Sequence, residues 1–214
     1  MLPITINFLA HLYLGGESPQ AMVGALLGDF VKGPVTDEWP APIGAGIVLH
    51  RRIDGFTDAH PEWLKSRARF APPLRRFAGI TVDVVYDHFL ARHWSRYHPE
   101  PLAHFVDRAY AYIARFEHLF PPRLARVFPY LRDENWLLQY AKFDAIEVTL
   151  TRMAQRSPRL APLALTGPAA RSLYAQLEID FTAFFPQLVM HVARSQARMP
   201  MLANAAGQAN VTRD

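Results

Sequence analysis

The helical spacing of apolar residues is the feature that most constrains the fold of this 214-residue chain. Long segments place hydrophobic residues three or four positions apart and few segments alternate, which is typical of amphipathic helices rather than strands. Most of the 18 prolines fall between these segments, where helix-breaking residues are tolerated. The sequence therefore predicts an all-α fold, a helical bundle formed by a single domain.

The pattern also predicts where the helices lie. They are expected over residues 7–14, 19–32, 42–56, 61–70, 82–97, 102–117, 121–134, 136–156 and 171–198. Ser18 before Pro19 is a predicted N-cap, and Thr81 is predicted to cap the helix that carries Asp83 and Asp87. We expect the helical domain to cover residues 1–198 and the small, polar segment 199–214 to form a flexible tail.

The lack of cysteine limits the chemistry that the chain can perform. Without cysteine there is no disulfide, no thiolate nucleophile and no sulfur-bound zinc, so a metal must be held by imidazole and oxygen. Such ligands favour harder ions such as Mn²⁺ or Mg²⁺.

The hydropathy pattern bears on location. No apolar run approaches the roughly 20 residues that span a bilayer, and the first residues lack the basic and small-residue elements of a signal peptide. We therefore expect no membrane insertion and a cytoplasmic location.

Residues 50–58 combine one imidazole, two carboxylates and two guanidinium groups. If the segment is helical, His50, Asp54 and Asp58 follow one another at four-residue intervals and share one face. That arrangement predicts a metal site. The alternative is a charge network within the helix, in which Arg51 and Arg52 pair with the aspartates and no metal is needed.

A second group of candidate ligands lies on a later predicted helix. Asp87 and His88 could supply further ligands to the same ion. Asp83 could either act in catalysis or orient a ligating histidine by accepting a hydrogen bond from its other ring nitrogen. Asp29 ends a nearly apolar turn, where an unpaired carboxylate is costly, so a metal or a salt bridge is expected there. His11 is as consistent with a core histidine as with a ligand.

Basic residues are concentrated after residue 64, in a chain whose net charge is only +4. Arginine favours bidentate contact with phosphate or carboxylate groups. We predict that this stretch meets an acidic partner or a phosphorylated substrate, with a solvated helix face as the alternative. The basic residues concerned are Lys65, Arg67, Arg69, Arg75 and Arg76.

Competing functional signatures are weak. The sequence has no Gly-x-Ser-x-Gly elbow, Walker loop or Gly-x-Gly-x-x-Gly turn. The remaining possibilities are metal-dependent hydrolysis, a non-catalytic helical binding module and nucleic-acid binding. The last is the weakest, because the net charge is modest and no helix-turn-helix or zinc pattern is present.

Four motifs of the sequence belong together: NFLAHL at 7–12, LGDFVKG at 27–33, HRRID with TD at 50–58, and DVVYDHFLARHW at 83–94. In combination they resemble the bacterial acyl carrier protein phosphodiesterase family. The resemblance continues through residues 135–137 and 157–160 to 185–186, so it covers almost the whole chain except the tail.

This resemblance implies an all-helical fold distantly related to the HD-domain metal-dependent phosphohydrolases. It implies hydrolysis of the phosphodiester that joins 4′-phosphopantetheine to a serine of holo acyl carrier protein, with Mn²⁺ or Mg²⁺ as the metal. It places Asp29 in the catalytic metal site. The chain departs from the usual pattern at Asp87-His88, where the His-Asp order of an HD dyad is reversed, and at Tyr13, where relatives can have a second histidine.

The residues and the resemblance together give a predicted site. The predicted metal ligands are Asp29, His50, Asp54, Asp87, His88 and His11; the predicted catalytic residues are Asp29, Asp58, Asp83 and Arg51. Phosphate oxygens are expected to contact Arg51 or Arg52, and the basic stretch from Lys65 to Arg76 is expected to meet the acidic carrier protein. The alternatives are an HD-like phosphohydrolase of a small phosphorylated metabolite and a non-catalytic module that binds carrier protein.

Overall fold

The computed structural model describes the backbone of residues 7–211 and the side chains of residues 7–197. That part of the chain forms eleven α-helices and contains no strand, so the all-α prediction is confirmed. The side chains of the predicted tail lie outside the described residues, and the division into residues 1–198 and 199–214 stays a prediction.

The helices follow one another with short connections. They are α1 (Phe8–Gly15), α2 (Pro19–Leu27), α3 (Ala41–Ala59), α4 (Pro61–Ala68), α5 (Ala78–Arg92), α6 (Leu102–Ala114), α7 (Pro122–Asp133), α8 (Trp136–Gln139), α9 (Phe143–Ala154), α10 (Thr166–Ser172) and α11 (Tyr174–Val211). Short 3₁₀ helices occupy Leu74–Phe77, Trp94–Arg96, Glu117–Leu119 and Pro158–Leu165. Within the described backbone, no helix is long and apolar enough to cross a bilayer.

Several helix boundaries differ from the prediction. The predicted helix 136–156 is two helices, because Lys142 adopts an extended conformation between α8 and α9. The predicted helix 82–97 begins earlier, at Ala78, so Thr81 lies inside α5 and donates to the Phe77 carbonyl instead of capping. The Ser18 cap is confirmed, since its hydroxyl accepts from the Ala21 amide. Helix α10 was missed, and α2 is shorter than predicted.

Helix α5 lies at the centre of the bundle. It contacts α1, α4, α9, α10 and α11, and apolar residues on several of its faces, including Val82, Val85 and Phe89, are fully buried. A helix that is hydrophobic around most of its circumference belongs in the interior of a fold. Polar residues of α5 are therefore directed at specific partners on the surrounding helices.

Helices α2 and α3 pack against each other at backbone distance. A Cβ atom added to Gly24 would lie 2.5 Å from the Ile43 carbonyl oxygen and 2.9 Å from the Cα of Gly46, so neither glycine position has room for a side chain. This close approach brings His50 of α3 against the end of α2, next to Asp29. The small residues of α2 and α3 thus place the candidate site.

Candidate metal centre and adjoining pocket

Three side chains from two helices converge on one point inside the bundle. His11 Nε2 of α1 lies 3.1 Å from Asp54 Oδ1, and His50 Nε2 of α3 lies 3.2 Å from Asp54 Oδ2. These ligand atoms all lie within 4.8 Å of one another. Donors on adjacent positions of an octahedral ion, each about 2.1 Å from the metal, are about 3.0 Å apart. The spacing of the three groups therefore matches that of a divalent cation site.

Asp29 lies at the edge of this cluster. Its Oδ1 is 3.7 Å from His50 Nε2, and its side chain is only 9% exposed. Its Oδ2 is buried and has no hydrogen-bond partner in the described part of the chain. A buried carboxylate oxygen without a donor is costly, and a cation shared with His50 would satisfy it.

Ring stacking and a backbone contact fix the orientation of the two imidazoles. The His50 ring stacks on the His11 ring, with centroids 3.7 Å apart, and His50 Nδ1 lies 2.7 Å from the Ala25 carbonyl oxygen. Because a carbonyl only accepts, Nδ1 must carry a hydrogen, which leaves Nε2 of the neutral ring with a lone pair directed at the cluster. A backbone carbonyl on the far nitrogen is the usual way in which proteins orient a ligating histidine.

Several donor atoms in the cluster lack hydrogen bonds. Among the described residues, both ring nitrogens of His11 and Nε2 of His50 are buried without a partner in hydrogen-bond geometry. The short distances from His11 Nε2 and His50 Nε2 to the Asp54 oxygens are therefore approaches to a common centre, not directed hydrogen bonds. Two imidazoles with one or two carboxylates are a donor set that suits a divalent transition metal.

The electrostatics of the cluster also favour a cation. Burial lowers the pKa of His50, but Asp29 and Asp54 outweigh this effect and raise it to about 10. Burial raises the pKa of Asp54, but the adjacent imidazoles of His11 and His50 outweigh this effect and hold the pKa below its usual range. A site that binds a proton this strongly between two carboxylates is also suited to a metal ion, which would compete with that proton.

A pocket of about 300 Å³ opens beside the cluster and shares Asp54 with it. Its other lining residues come from α3, α4, the 3₁₀ segment before α5, and α5, together with Asn7. They include Thr57, Asp58, Trp63, Arg67, Arg76 and Asp83. We call this space the phosphate pocket, since it combines cations, carboxyl groups and access to the cluster.

Two carboxyl groups in the phosphate pocket differ in environment. Burial is the main cause that raises the pKa of Asp83 to about 8, although its Oδ1 accepts a 2.9 Å hydrogen bond from Trp63 Nε1. Asp58 is exposed, and burial and the charge of Asp54 raise its pKa less strongly. Two titratable groups whose environments separate their pKa values are suited to opposite roles in proton transfer.

Two arginines face the same pocket. The Arg67 guanidinium lies 4.8 Å from the Trp63 ring centroid, and its Nε is buried without a hydrogen-bond partner in the described residues. Arg76 is exposed and lies over the Phe77 ring. Neither arginine is ion-paired with a carboxylate in the described structure, so both can bind an anion.

The structure does not bring Asp87 and His88 into the cluster. Both oxygens of Asp87 accept 2.9 Å hydrogen bonds from the Leu9 and Ala10 amides, so Asp87 caps the N-terminus of α1. His88 faces the other way and contacts the Tyr140 carbonyl and the Tyr174 hydroxyl. We therefore assign neither as a metal ligand. Asp87 instead fixes the helix that carries His11.

Several predicted substrate-binding cations are occupied elsewhere. Lys65 and Arg69 pair with buried Asp180, at 2.9 and 2.6 Å. Arg75 donates to the Phe70 and Ala68 carbonyls. Lys65 and Arg69 thus hold the α4 region against α11, and Arg75 stabilises the loop that follows α4.

The two arginines next to His50 also lie away from the phosphate pocket. Arg51 donates to the carbonyls of Gly33 and Val31, at 2.7 and 2.9 Å, which ties α3 to the loop after Asp29. Arg52 lines a different pocket, on another face of α3. The prediction of a phosphate clamp at Arg51 or Arg52 therefore has no support in the geometry, and Arg67 and Arg76 occupy that place.

Three residues of the site were not singled out from the sequence. Asn7, Thr57 and Trp63 line the phosphate pocket, and Trp63 binds Asp83 directly. Asn7 and Thr57 lie within motifs that carry the family resemblance, and this is the sequence signal that could have identified them. Trp63 has no local pattern that links it to Asp83, twenty residues away.

Comparisons with known proteins identify relatives of this chain. A family model described as acyl carrier protein phosphodiesterase matches residues 6–188. A protein named acyl carrier protein phosphodiesterase from Enterobacter sp. (strain 638) is 40% identical over 192 residues, which are 89% of this chain and all of that protein. Proteins of the same name from Serratia proteamaculans (strain 568) and Escherichia coli O157:H7 are 41% and 40% identical, covering 89% and 88% of this chain and 100% and 98% of their own. No solved structure matches significantly.

Proposed function

Because this chain belongs to the acyl carrier protein phosphodiesterase family, we propose that its phosphodiesterase activity releases 4′-phosphopantetheine from the serine of holo acyl carrier protein. The observation that carries the proposal is the cluster of His11, His50 and Asp54, which opens onto a pocket with two free arginines and two further carboxyl groups. A cytoplasmic location is part of the proposal, and the distant relation to HD-domain enzymes stays a prediction.

We propose that the cluster binds Mn²⁺, with Mg²⁺ as the alternative. His11, His50 and Asp54 would hold the ion, and Asp29 lies close enough to join them. When bound, such a cation supplies Lewis acidity that neutralises phosphate charge and acidifies a water molecule. The unpartnered Nε2 atoms of His11 and His50 and the buried Asp29 oxygen support this assignment, because one cation can satisfy them together.

The phosphate pocket would bind the diester through its cations. Arg67, with its buried and unpartnered Nε, can donate to phosphoryl oxygens, and exposed Arg76 can approach from the rim. Paired N–H donors on a guanidinium match the geometry of phosphate oxygens. The two side chains would hold the phosphorus atom on the side of the pocket that borders the cluster, where Asp54 belongs to both.

Asp58 and Asp83 would move the protons. In the reaction a water oxygen forms a bond to phosphorus and the bond from phosphorus to the serine oxygen breaks. We assign Asp58, the more acidic of the two, as the base that accepts the proton of water. We assign Asp83 as the acid that protonates the serine oxygen, because burial keeps it protonated near neutral pH.

The carrier protein would dock at the rim of the phosphate pocket. Acyl carrier proteins are acidic, and an exposed cation at the rim raises the association rate in a salt-sensitive way. Arg76 is the exposed cation that the geometry places there, whereas Lys65 and Arg69 are already paired with Asp180. Of the predicted basic stretch from Lys65 to Arg76, only Arg67 and Arg76 line the phosphate pocket and stay in this proposal.

The test is a mass measurement of holo acyl carrier protein incubated with the purified protein. Mn²⁺, Mg²⁺ and a chelator are compared, and the wild type is compared with His50→Ala. His104→Ala is the matched control, since His104 is exposed on α6, outside the cluster. We expect metal-dependent loss of the phosphopantetheine mass with the wild type and the control, and greatly reduced loss with His50→Ala.

Two outcomes would overturn parts of the proposal. Intact holo protein with every metal would exclude the reaction and redirect the search to small phosphate esters. Asp29→Ala distinguishes an enzyme from a binding module: an enzyme should lose turnover but still bind carrier protein. A module would bind equally well and show no turnover in either form.

A further inference from the structure

We infer that a second pocket, on the opposite flank of α3 from Asp54, binds the pantetheine arm of the substrate; this inference rests on the proposed function. The pocket has a volume of about 650 Å³. We call it the arm pocket and define it by Arg52, Gly55, Phe56, His60 and His191. Its volume falls within the range of about 300–1,000 Å³ that is typical of small-molecule sites.

The arm pocket adjoins the phosphate pocket across one helix. Gly55 of the arm pocket directly follows Asp54 of the phosphate pocket, and Ala59 directly follows Asp58 in the same way. Consecutive Cα atoms are about 3.8 Å apart, and one residue turns a helix by about 100°. A chain attached to phosphorus at the cluster therefore needs only to cross the α3 surface at Gly55 to enter the second pocket.

In the described part of the structure, the α3 surface at Gly55 leaves room for that crossing. A Cβ atom added to Gly55 would meet no atom within 4 Å, so the helix surface between the two pockets is open. The phosphoryl group keeps its pantetheine arm when the serine oxygen leaves, so the enzyme must accommodate the arm on a side that the carrier protein does not fill. The open ridge of α3 at Gly55, directly after Asp54, lets the arm leave the phosphate pocket on such a side.

The lining of the arm pocket matches the chemistry of pantetheine. The Phe56 ring stacks on the His191 ring with centroids 4.2 Å apart, and His60 lies 5.1 Å from Phe56. Aromatic faces of this kind suit the paired methyl groups and methylenes of the arm. Among residues 7–197 no carboxylate lines the pocket, so a metal ion is a poor candidate for its occupant.

Polar donors complete the match. Arg52 is exposed, and in the described part of the structure it pairs with no carboxylate. The His191 ring nitrogens likewise have no hydrogen-bond partner among residues 7–197. Pantetheine offers two amide carbonyls and a hydroxyl as acceptors. An arginine and an imidazole beside an aromatic stack can therefore fix its orientation.

The experiment compares two inhibitors of holo acyl carrier protein hydrolysis. Inorganic phosphate can occupy only the phosphate pocket, whereas 4′-phosphopantetheine can occupy both pockets. The ratio of their inhibition constants measures what the arm contributes. In the wild type we expect 4′-phosphopantetheine to inhibit more strongly. In His191→Ala we expect that advantage to shrink about threefold to tenfold, the value of one aromatic contact.

A second variant and a control keep the test independent of folding. Gly55→Leu places a side chain on the open ridge and replaces glycine by a better helix former, so the fold should be retained while the arm is obstructed. Met190→Ala is the matched control, because Met190 is 52% exposed and lies outside both pockets. The control should keep the wild-type ratio, and melting curves of all variants should confirm folded protein.

The outcomes separate this inference from the proposed function. If the wild type hydrolyses holo protein but both compounds inhibit equally, the arm pocket is excluded and the reaction stands. If the ratio is the same in wild type, His191→Ala and Gly55→Leu, the arm binds elsewhere. If the wild type does not hydrolyse holo protein at all, the proposed function fails and this inference fails with it.

Discussion

Gly28→Ala tests whether backbone packing against His50 holds the metal centre together. Gly28 has ordinary right-handed helical torsions, φ −51° and ψ −36°, so alanine introduces no backbone strain. Its Cβ would, however, lie 2.1 Å from His50 Cγ and 2.4 Å from His50 Cδ2. The variant is therefore a purely steric perturbation of one candidate ligand.

The imidazole cannot escape this clash easily. Normal carbon contacts are about 3.5–4.0 Å, so the ring must move by about 1.5 Å. On the other side it stacks on His11 at 3.7 Å, and its Nδ1 is fixed at 2.7 Å from the Ala25 carbonyl. Overpacking of this kind costs about 1–3 kcal/mol of folding stability. Loss of a ligand's orientation reduces metal affinity about tenfold to a hundredfold.

Thermal melting with and without Mn²⁺ measures both effects. At a metal concentration a hundred times the wild-type dissociation constant, binding stabilises the fold by about 2.7 kcal/mol. For a protein of this size that is a shift of about 5–11 °C. A hundredfold weaker site gives about 0.4 kcal/mol at the same concentration, which is a shift of about 1–2 °C. Hydrolysis of holo acyl carrier protein should fall in parallel.

Gly55→Ala is the stability control, since its Cβ meets no atom and alanine is favoured over glycine inside a helix by about 0.5–1 kcal/mol. We expect it to melt at or slightly above the wild-type temperature. The reasoning is refuted if Gly28→Ala keeps the full Mn²⁺-induced shift and full turnover. His50 would then not be a ligand, or its position would not depend on Gly28.

Three further predictions concern the groups around the centre. Asp83→Asn should reduce kcat by about 10²–10⁴-fold, because the amide cannot donate a proton to the leaving serine. Burial raises the pKa of Asp83 to about 8, from about 3.9 in the unfolded chain. Protonated Asp83 therefore stabilises the fold fully below pH 4, and this contribution is lost as the pH rises through 8. Calorimetry at pH 9 should accordingly show Asp83→Asn melting above the wild type. Asp87→Ala leaves two amides of α1 without acceptors and should cost about 2–6 kcal/mol in a urea titration, whereas a loss of under 1 kcal/mol would contradict the capping role. Arg69→Met should destabilise the fold, because it removes one of the two cations that pair with buried Asp180 and leaves only Lys65, with little change in KM for holo carrier protein. Arg76→Met should raise KM and weaken its salt dependence; the reverse pattern would return the docking role to Arg69.

Helix α3 shows how much of the site local spacing can predict. His50 and Asp54 are four residues apart and were expected to meet, as they do at 3.2 Å. Four residues turn a helix by about 400°, so each further step drifts by about 40° around the axis. Asp58 has therefore turned about 80° from His50 and faces the phosphate pocket, next to the cluster and not in it. Spacing thus predicts which side chains of α3 lie near one another, but it assigns all three to one common position.

Residues that depend on tertiary contacts were harder to assign. Asp87 and His88 are adjacent, so they point about 100° apart and cannot serve one ion together. Which of them faces α1 depends on how α5 is rotated in the bundle. His11 was left undecided from the sequence because nothing local links α1 to α3; the structure joins them through the stacked imidazoles. The all-α class, by contrast, followed directly from periodicity.

The basic stretch illustrates the same limit on α4. Lys65 and Arg69 are four residues apart and both contact Asp180 of α11, more than a hundred residues later in the chain, instead of an acidic partner. Arg67 lies between them in sequence and on a different side of the helix, so it reaches the phosphate pocket. A count of positive charges cannot separate these two roles, because it contains no information on the helix that packs against α4.

The rotation of α3 links the two halves of the proposed substrate site. Its face at Asp54 and Asp58 adjoins the candidate metal centre and lines the phosphate pocket, and its face at Arg52 and Phe56 lines the arm pocket. The contact of His50 with α2 fixes that rotation, because a turn of the helix would drive the imidazole into Gly28. One packing contact therefore sets the angle between phosphate and arm, and substitutions that rotate α3 should impair metal binding and arm recognition together.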